Sequence, residues 1–528
     1  MDRKLKCLMV VFILTLLIVI PKIGISEEEK DDGFMTWLST WNPLREHFTE
    51  PLMERIPNFE IRGFIHNRNS MAIYRNVNKY RNQPMKQEPF QDTDTAWQQL
   101  EWLIELEPRY KPTPNLQFVM KIDYLYNAAY DWCSGFRSSY GKTYYDSTAN
   151  WSRSRLHYYR RATDILREYY IDYINGPVQV RLGKQQVVWG RVDGRQILDM
   201  VHGFDYTRYP FPTINPLIPI EQQRVPKWMT NIQYFPGDFQ FQFLWIPDFE
   251  PSFGANWKYS PWEWNVRSRD MSARNTTYTT METKRPARKM KNSELGFMAK
   301  VLKKGWDVSL HYLWAWDPAP ALHYSARGGA VRVYPIHHRM HKFGLGADRT
   351  WSMLGRQWAA KLEARYLRHE RQKLATADWT AQNEQVKRID HLTTGLQIET
   401  YVLTNMALIL RWDHDQIFKY KGGMMTKLGD LNNNLDGVYF TIRKPIRATY
   451  DRLIVNSLFI WVENEGYRYE PAISYELTED CLLMLGGHFF WGAPDAKEVT
   501  QFYHSPPHQV HGQFRRHDGI DWGIRWNF

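Results

Sequence analysis

Ile520-Asp521-Trp522-Gly523-Ile524-Arg525-Trp526-Asn527-Phe528 ends the chain. Ile520, Trp522, Ile524, Trp526 and Phe528 fall on one side of an extended segment, and Asp521, Gly523, Arg525 and Asn527 on the other. Successive side chains of a strand point to opposite faces, so this period of two predicts a strand with one apolar and one polar face.

Working outward, the same alternation recurs along most of the chain. Phe59, Ile61 and Ile65 alternate with Glu60, Arg62 and His66. Leu100, Trp102, Ile104 and Leu106 alternate with Glu101, Leu103, Glu105 and Glu107. After a short connection from Pro108 to Pro114, Leu116, Phe118, Met120, Ile122, Tyr124 and Tyr126 alternate with residues that include Gln117, Lys121 and Asp123. Tight turns follow at Asn175-Gly176, Pro236-Gly237-Asp238 and Lys303-Lys304-Gly305, each between two alternating segments; Asn-Gly is the strongest short hairpin signal. Further pairs join 339–350 to 357–367, 392–401 to 406–412, and 467–476 to 482–491, and 437–462 divides in two around Thr449-Tyr450-Asp451. The expectation is about 18 strands, with 16 as the alternative. The long polar connections (68–96, 128–163, 190–224, 248–292, 317–338, 369–386, 413–436 and 492–512) fall at one end of the strands, and the short turns at the other.

Composition agrees. Mean hydropathy is −0.56, which excludes a bundle of apolar membrane helices, yet aromatic residues make up 15% of the chain. Strands that meet lipid on one face only, flanked by aromatic girdles, combine these two properties. No 40–50-residue blade repeat and no linker divides the chain, so the fold class expected is an all-β, antiparallel up-and-down transmembrane β-barrel. A sheet in lipid must close to satisfy its edges. An alternating strand that ends on an aromatic residue resembles the C-terminal insertion signal of bacterial outer-membrane barrels. That resemblance implies that Trp522, Ile524, Trp526 and Phe528 are read by the barrel-assembly machinery.

At the other terminus, Arg3, Lys4 and Lys6 precede an apolar run from Leu8 to Ile20, and Gly24-Ile25-Ser26 leads into Glu27-Glu28-Glu29. This is the pattern of a cleaved secretory signal over residues 1–26, too short for a comfortable membrane span. Residues 27–57 carry Trp37, Leu38, Trp41, Leu44, Phe48, Leu52 and Ile56 at helical spacing, which predicts a short helix, periplasmic or packed in the lumen, before a barrel over 58–528. The expected location is the bacterial outer membrane. Only Cys133 and Cys481 would remain, so stability does not rest on a disulfide framework, and no Cys-x-x-Cys-His exists for a haem. No cofactor is expected.

The most distinctive segment is Gly183-Lys184-Gln185-Gln186-Val187-Val188-Trp189-Gly190-Arg191-Val192-Asp193-Gly194-Arg195, running on to Asp199. A Gly-Lys-Gln…Trp-Gly…Asp-Gly…Asp segment at this place, with Val225-Pro226-Lys227-Trp228 and Trp245-Ile246-Pro247 downstream, resembles a family of uncharacterised proteobacterial outer-membrane barrels. His202-Gly203 stands where that family's pattern has Asn-Pro. Some members are associated with RND-type exporters, which implies handling of hydrophobic compounds with periplasmic transport components.

From the residues themselves, the 190–224 loop holds Pro210, Pro212, Pro216 and Pro219 and reads as a loop folded into the lumen. Arg191, Asp193, Arg195 and Asp199 would set opposed charges at a constriction, or salt-bridge to hold the loop in place. Parity places Glu101, Glu105, Lys121, Asp123, Arg181, Gln240, Gln242, Lys361, Glu363, Arg365, Arg411 and Asp413 on the lumen face, predicting a polar, water-filled interior. The basic loop 266–291 could meet lipopolysaccharide phosphates or be a solvated loop. Nucleic-acid binding is not expected. No Gly-x-Ser-x-Gly, His-Glu-x-x-His or phosphate-loop motif occurs, and His337, His338 and His341 cannot share one strand face, so neither an enzyme nor a metal site is expected. The function expected is a porin-like channel for passive passage of small solutes. The alternatives are a port for hydrophobic compounds or lipids, a sheath around a partner protein, and an adhesin.

Overall fold

The structure is a computed structural model. It describes residues 42, 44–73, 97–128, 165–192, 197–205, 213, 220–252, 277–280, 285–287, 289–327, 330–374, 386–403, 405–418, 424–426, 429–430, 434–463, 466–491 and 518–528. The signal segment 1–26, residues 27–41, and most of the basic loop 266–291 lie outside the described residues, as does Cys133.

Eighteen strands form the barrel. They are β1 (Phe59–Ala72), β2 (Trp97–Thr113), β3 (Leu116–Asn127), β4 (Leu166–Asn175), β5 (Val178–Gln185) and β6 (Lys227–Tyr234). There follow β7 (Phe239–Ile246), β8 (Glu294–Lys303), β9 (Trp306–Trp316), β10 (Arg339–Met353), β11 (Arg356–Leu374) and β12 (Val386–Val402). The last six are β13 (Met406–Phe418), β14 (Asn434–Ile446), β15 (Leu453–Val462), β16 (Gly466–Glu476), β17 (Cys481–Trp491) and β18 (Gly519–Asn527). Each pairs antiparallel with its neighbours in the chain, and β18 returns to β1, Asn527 opposite Phe64 and Gly519 opposite Ala72. The sheet is therefore closed. Eighteen is the count expected, and the 16-strand alternative falls away.

The seam is where the terminal segment sits. The Gly63 N–H donates to the Phe528 carbonyl at 2.8 Å, and the Phe528 N–H donates to the Gly63 carbonyl at 2.9 Å. Phe528 lays its ring over Gly63, where a Cβ would come 2.7 Å from the ring edge. Ile520, Trp522, Ile524 and Trp526 share the outward face with it.

The outward face is apolar around the barrel. Trp102, Tyr124, Phe243, Phe297, Leu310, Phe343, Leu410, Phe440 and Leu485 all stand exposed. Exposed large apolar side chains on every second residue are unaffordable in water over such an area and are what a lipid-facing belt requires. The Asn175-Gly176 turn needs a left-handed residue, and Gly176 supplies it at φ 53°.

Two boundaries differ from the sequence reading. β2 continues through Pro108 to Thr113 and does not turn there; Pro108, with no N–H to give, sits at a gap in the ladder to β3. β5 ends at Gln185, short of the Val178 to Trp189 span that the sequence after the Asn175-Gly176 turn predicts, because the chain leaves the wall there and turns inward. Beyond the long-loop end, Ala321–Arg327 and Ala330–Ile336 form a hairpin, with Thr277–Thr280 parallel to the second strand. The N-terminal helical segment spans Leu44–Arg55 at the short-turn mouth. Asn42 fixes it there: its Nδ2 donates to Asp480 Oδ2 at 2.7 Å and to the Asn527 carbonyl at 2.9 Å.

Candidate functional site

The site is the segment that follows β5. Gly183 starts it. Its φ of 137° is one that side chains rarely adopt, and a Cβ would collide with the Tyr169 carbonyl. Beyond it, a chain of amides fastens the segment to the inner wall. Gln185 Oε1 accepts from Asn231 Nδ2 at 3.2 Å, Asn231 Oδ1 accepts from Gln242 Nε2 at 2.9 Å, and Gln242 Oε1 accepts from the Trp189 indole at 2.7 Å. Gln186 is held by Glu168 through both its backbone and its side chain. The Gly-Lys-Gln…Trp spacing thus places one anchor on the last turn of β5 and the next where the loop meets β7.

The loop then packs on the inside of the barrel. Val187, Trp189, Leu198, Met200 and Val201 form one buried cluster with Met229, Leu244, Ile246, Met298, Leu313 and Ala315. All six wall residues face the lumen. Polar parity therefore fails along this wall, and the expectation of a uniformly polar interior is corrected: from β6 to β12 the inner face is partly apolar, because a folded loop covers it. Glycines deepen the sockets. A Cβ on Gly344 would come 2.8 Å from Leu198 and 2.9 Å from Met200, and one on Gly395 would come 2.5 Å from Ile197.

Glu363, on β11, caps the loop. Its carboxylate accepts the backbone N–H groups of Arg191, Val192 (3.0 Å) and Leu198 (3.2 Å), and it is 1% exposed. Lys342 donates to the Met200 carbonyl at 2.9 Å. Arg191 pairs with Asp307 and, at 2.8 Å, with Asp348, while keeping about a third of its side chain open to solvent. Its guanidinium is raised by these two acids against the opposing effect of burial. Asp199 is sealed, paired with Arg224. Burial pushes its carboxyl up to about 6, with Arg224 opposing. Asp193 and Arg195 lie outside the described residues.

His202 ties the two ends of the loop together. Its Nε2 accepts the Val187 N–H at 2.7 Å, and its Nδ1 lies 2.9 Å from the Val225 carbonyl. That geometry requires the neutral ring with its proton on Nδ1. Burial, then the Lys227 charge, push it down to about 3. Farther along, the Thr213 hydroxyl donates to Glu470 on β16 at 2.6 Å, and Arg167 on β4 donates to the carbonyls of Glu221 and Arg224 (3.0 Å). The described residues of this one loop thus touch β4, β11, β12 and β16.

The remaining lumen candidates line the wall as parity expects. Glu101 stands near His66 at 3.7 Å, and Glu105 lies opposite Asp123, which pairs with Arg167 at 3.3 Å. Lys121 reaches Glu107 at 3.2 Å, Arg181 reaches Asp172 at 2.8 Å, and Lys361 reaches Glu399 at 3.4 Å. Arg365 donates to the Thr393 hydroxyl, and Arg411 is buried in a two-point pair with Asp413. Among the lumen candidates, Glu363 and Gln242 join the loop directly. His202, Lys342, Asp307, Asp348 and the socket glycines were missed; the visible signal was a glycine at alternate inward positions, Gly344 and Gly346, in a lipid-length strand. His337, His338 and His341 go to three different partners: the Asp317 carbonyl, His323 and Tyr312.

A family described as "Protein of unknown function (DUF1302)" matches residues 67–502. The chain belongs to this family. The match includes the whole inward loop and all but the ends of the barrel. No curated protein matches. Among solved structures, Acinetobacter baumannii OccAB3 aligns at a TM-score of 0.46 and 7% identity, over 90% of this chain and 100% of that one. Pseudomonas aeruginosa OccK11 (OpdR) aligns at 0.44 and 8%, over 89% and 96%. Salmonella typhi OmpF, solved with daunomycin, aligns at 0.38 and 8%, over 89% and 97%.

Proposed function

We propose that the protein is an outer-membrane channel that passes small polar solutes through a lumen narrowed by the 186–226 loop. The observation that carries this reading is the loop's span: one segment fastened to β11 and β12 on one side and to β4 and β16 on the other. Eighteen strands leave a lumen wide enough for water, so a loop across it sets the limiting width. Arg191, partly exposed beside Asp307 and Asp348, is the charge at that constriction. Residues 1–26 direct export, and Phe528 with Trp522, Ile524 and Trp526 serves insertion.

The clustered apolar residues of the loop, Val187, Trp189, Leu198, Met200 and Val201, do not favour a conduit for hydrophobic compounds. They are spent against the wall, and none of the clustered set is more than 6% exposed. A sheath around a partner protein is disfavoured by the same contacts, which occupy the space such a partner would need.

The test is single-channel recording from refolded protein in a planar bilayer. Stable ohmic steps are expected, and replacing 190–201 by a short Gly-Ser linker should raise conductance several-fold. A silent barrel, or a conductance unchanged by that replacement, overturns the reading.

A further inference from the structure

The outward face at the long-loop end of β10–β12 carries a second feature unrelated to the loop. Below the rim, Tyr312, Phe343, Tyr366 and Phe418 form a run of ring contacts at centroid distances of 5.2–6.3 Å, facing lipid. One row higher, Trp314, His341, Arg368, Asp390 and Phe418 lie opposite one another across five strands. At the rim, Arg339 stacks on Trp314 (3.9 Å) and Trp316 (4.8 Å). A bulge at His369 keeps Arg371 on the outward face, where it stands opposite Arg388.

Like charges directly opposite in a ladder destabilise it, yet two arginines face each other here, with Arg368 one step below and Arg339 on the next strand but one. Among the described residues, Asp390 is the only acid on this outward face, and one of its oxygens is taken by the His369 N–H at 3.1 Å. The crowding of cations is felt at His338, in the loop before β10: burial and then Arg371, His323, His337 and Arg388 push it down to about 4.

We propose that this patch binds the phosphate-bearing headgroup of an anionic lipid of the outer leaflet. Arg368, Arg371 and Arg388 hold the phosphates, and the ring cluster beneath lies along the acyl chains. A guanidinium fork matches phosphate oxygens in pairs, and the placement of the patch, directly above an aromatic lipid-facing band, suits a headgroup attached to a membrane. The proposal rests on the outer-membrane placement given above and not on conduction, so the two can fail separately.

The full-length refolded barrel in detergent would be titrated with bisphosphorylated lipid A, bound lipid being counted by native mass spectrometry. The triple variant R368Q/R371Q/R388Q should bind at least tenfold more weakly, and lipid A stripped of its phosphates should bind wild type as weakly. Equal binding by the triple variant, or by the dephosphorylated lipid, overturns the proposal. So does full displacement by millimolar inorganic phosphate, which would make the patch a site for a free anion. Heat-modifiable gel mobility reports folding. If the triple variant does not fold, Arg388→Gln alone, at an exposed position, should still lose several-fold. Conductance steps should be the same in all variants.

Discussion

Two stretches of the inner wall obey the same alternation and bury different chemistry. Along β18, β1, β2 and β3 the inward residues include Asp521, Arg525, His66, Arg68, Glu101, Glu105, Glu107, Lys121 and Asp123, interrupted by the small apolar trio Phe64, Leu103 and Leu125. Along β6–β10 they include Met229, Leu244, Ile246, Gly296, Met298, Leu313, Ala315, Gly344 and Gly346. The seam wall packs charged groups against one another, with His66, Arg68 and Glu101 fully buried. The other wall meets a loop, and it solves its shape with glycine and its contacts with aliphatic groups. Outward parity is dictated everywhere by lipid; inward parity is dictated by whatever fills the barrel at that height.

The sharpest way to break this contrast is at Glu363. Its carboxylate serves three backbone N–H groups of the loop, and a buried donor left without a partner costs about 1–3 kcal/mol. Glu363→Ala should therefore release the loop, at a local cost of about 3–5 kcal/mol. The expected signs are conductance several-fold above wild type and rapid protease cleavage within 186–202, with the barrel itself still resistant. Glu363→Gln keeps one acceptor oxygen and should be milder. A loop as protected in Glu363→Ala as in wild type would sink the idea that this wall is built to hold it.

Next in size is the socket. Gly395→Val puts a branched side chain where even a Cβ would meet Ile197 at 2.5 Å and Asp413 at 2.8 Å. Overpacking of this kind costs about 1–3 kcal/mol, here charged to the loop because the strand ladder is unaltered. Raised protease sensitivity of the loop is the readout. A valine at a seam-wall glycine far from the loop's sockets, Gly523, should leave the loop as protected as before, which is the comparison restated as an experiment.

These two positions show what the sequence disclosed. The outward face was legible throughout, from Phe59 to Phe528, because lipid imposes one demand on every strand. The strand count, the turn at Gly176 and the inward direction of Glu101, Lys121, Lys361 and Arg411 followed from the same period. That Glu363 would cap a loop was not legible, since its partners are backbone groups 165 to 172 residues away. Nor was His202, whose two partners come from opposite ends of one loop. Alternation says which way a side chain points; it does not say what it will meet.

His202 gives a pH dependence with a definite sign. Its folded-state value, about 3, lies below the ordinary 6.5. A depressed value means that the clasp's contribution is fully present above pH 6.5 and drains away as pH falls from there toward 3. Asp199 acts the other way: raised from 3.8 to about 6, it favours the folded loop once protonated. Between pH 6 and about 4 the two linkages oppose each other, one proton against one, and cancel; open-channel noise and loop proteolysis should rise below about pH 4, where the Asp199 linkage is complete and that of His202 continues toward 3. His202→Asn should remove most of that rise. An acid response that survives the substitution unchanged would assign it to other groups.

The smallest effects are expected at the two arginines that most resemble each other. Arg191 pairs with Asp307 and Asp348 on the loop side, and Arg181 pairs with Asp172 at 2.8 Å on β5 and β4. Both side chains keep access to water, a third of Arg191 and a quarter of Arg181, so each pair is worth about 1 kcal/mol or less. Arg191→Gln and Arg181→Gln should melt within a few degrees of wild type and of each other. Ion selectivity is where they should part. On the proposed reading, removing the positive charge beside the loop exposes Asp307 and Asp348 to passing ions and should shift reversal potential toward cations, whereas the loss at Arg181, away from the constriction, is screened by salt over about 8–10 Å. Equal shifts from the two variants would mean that the loop does not define the narrowest section, and that the two walls differ in packing alone.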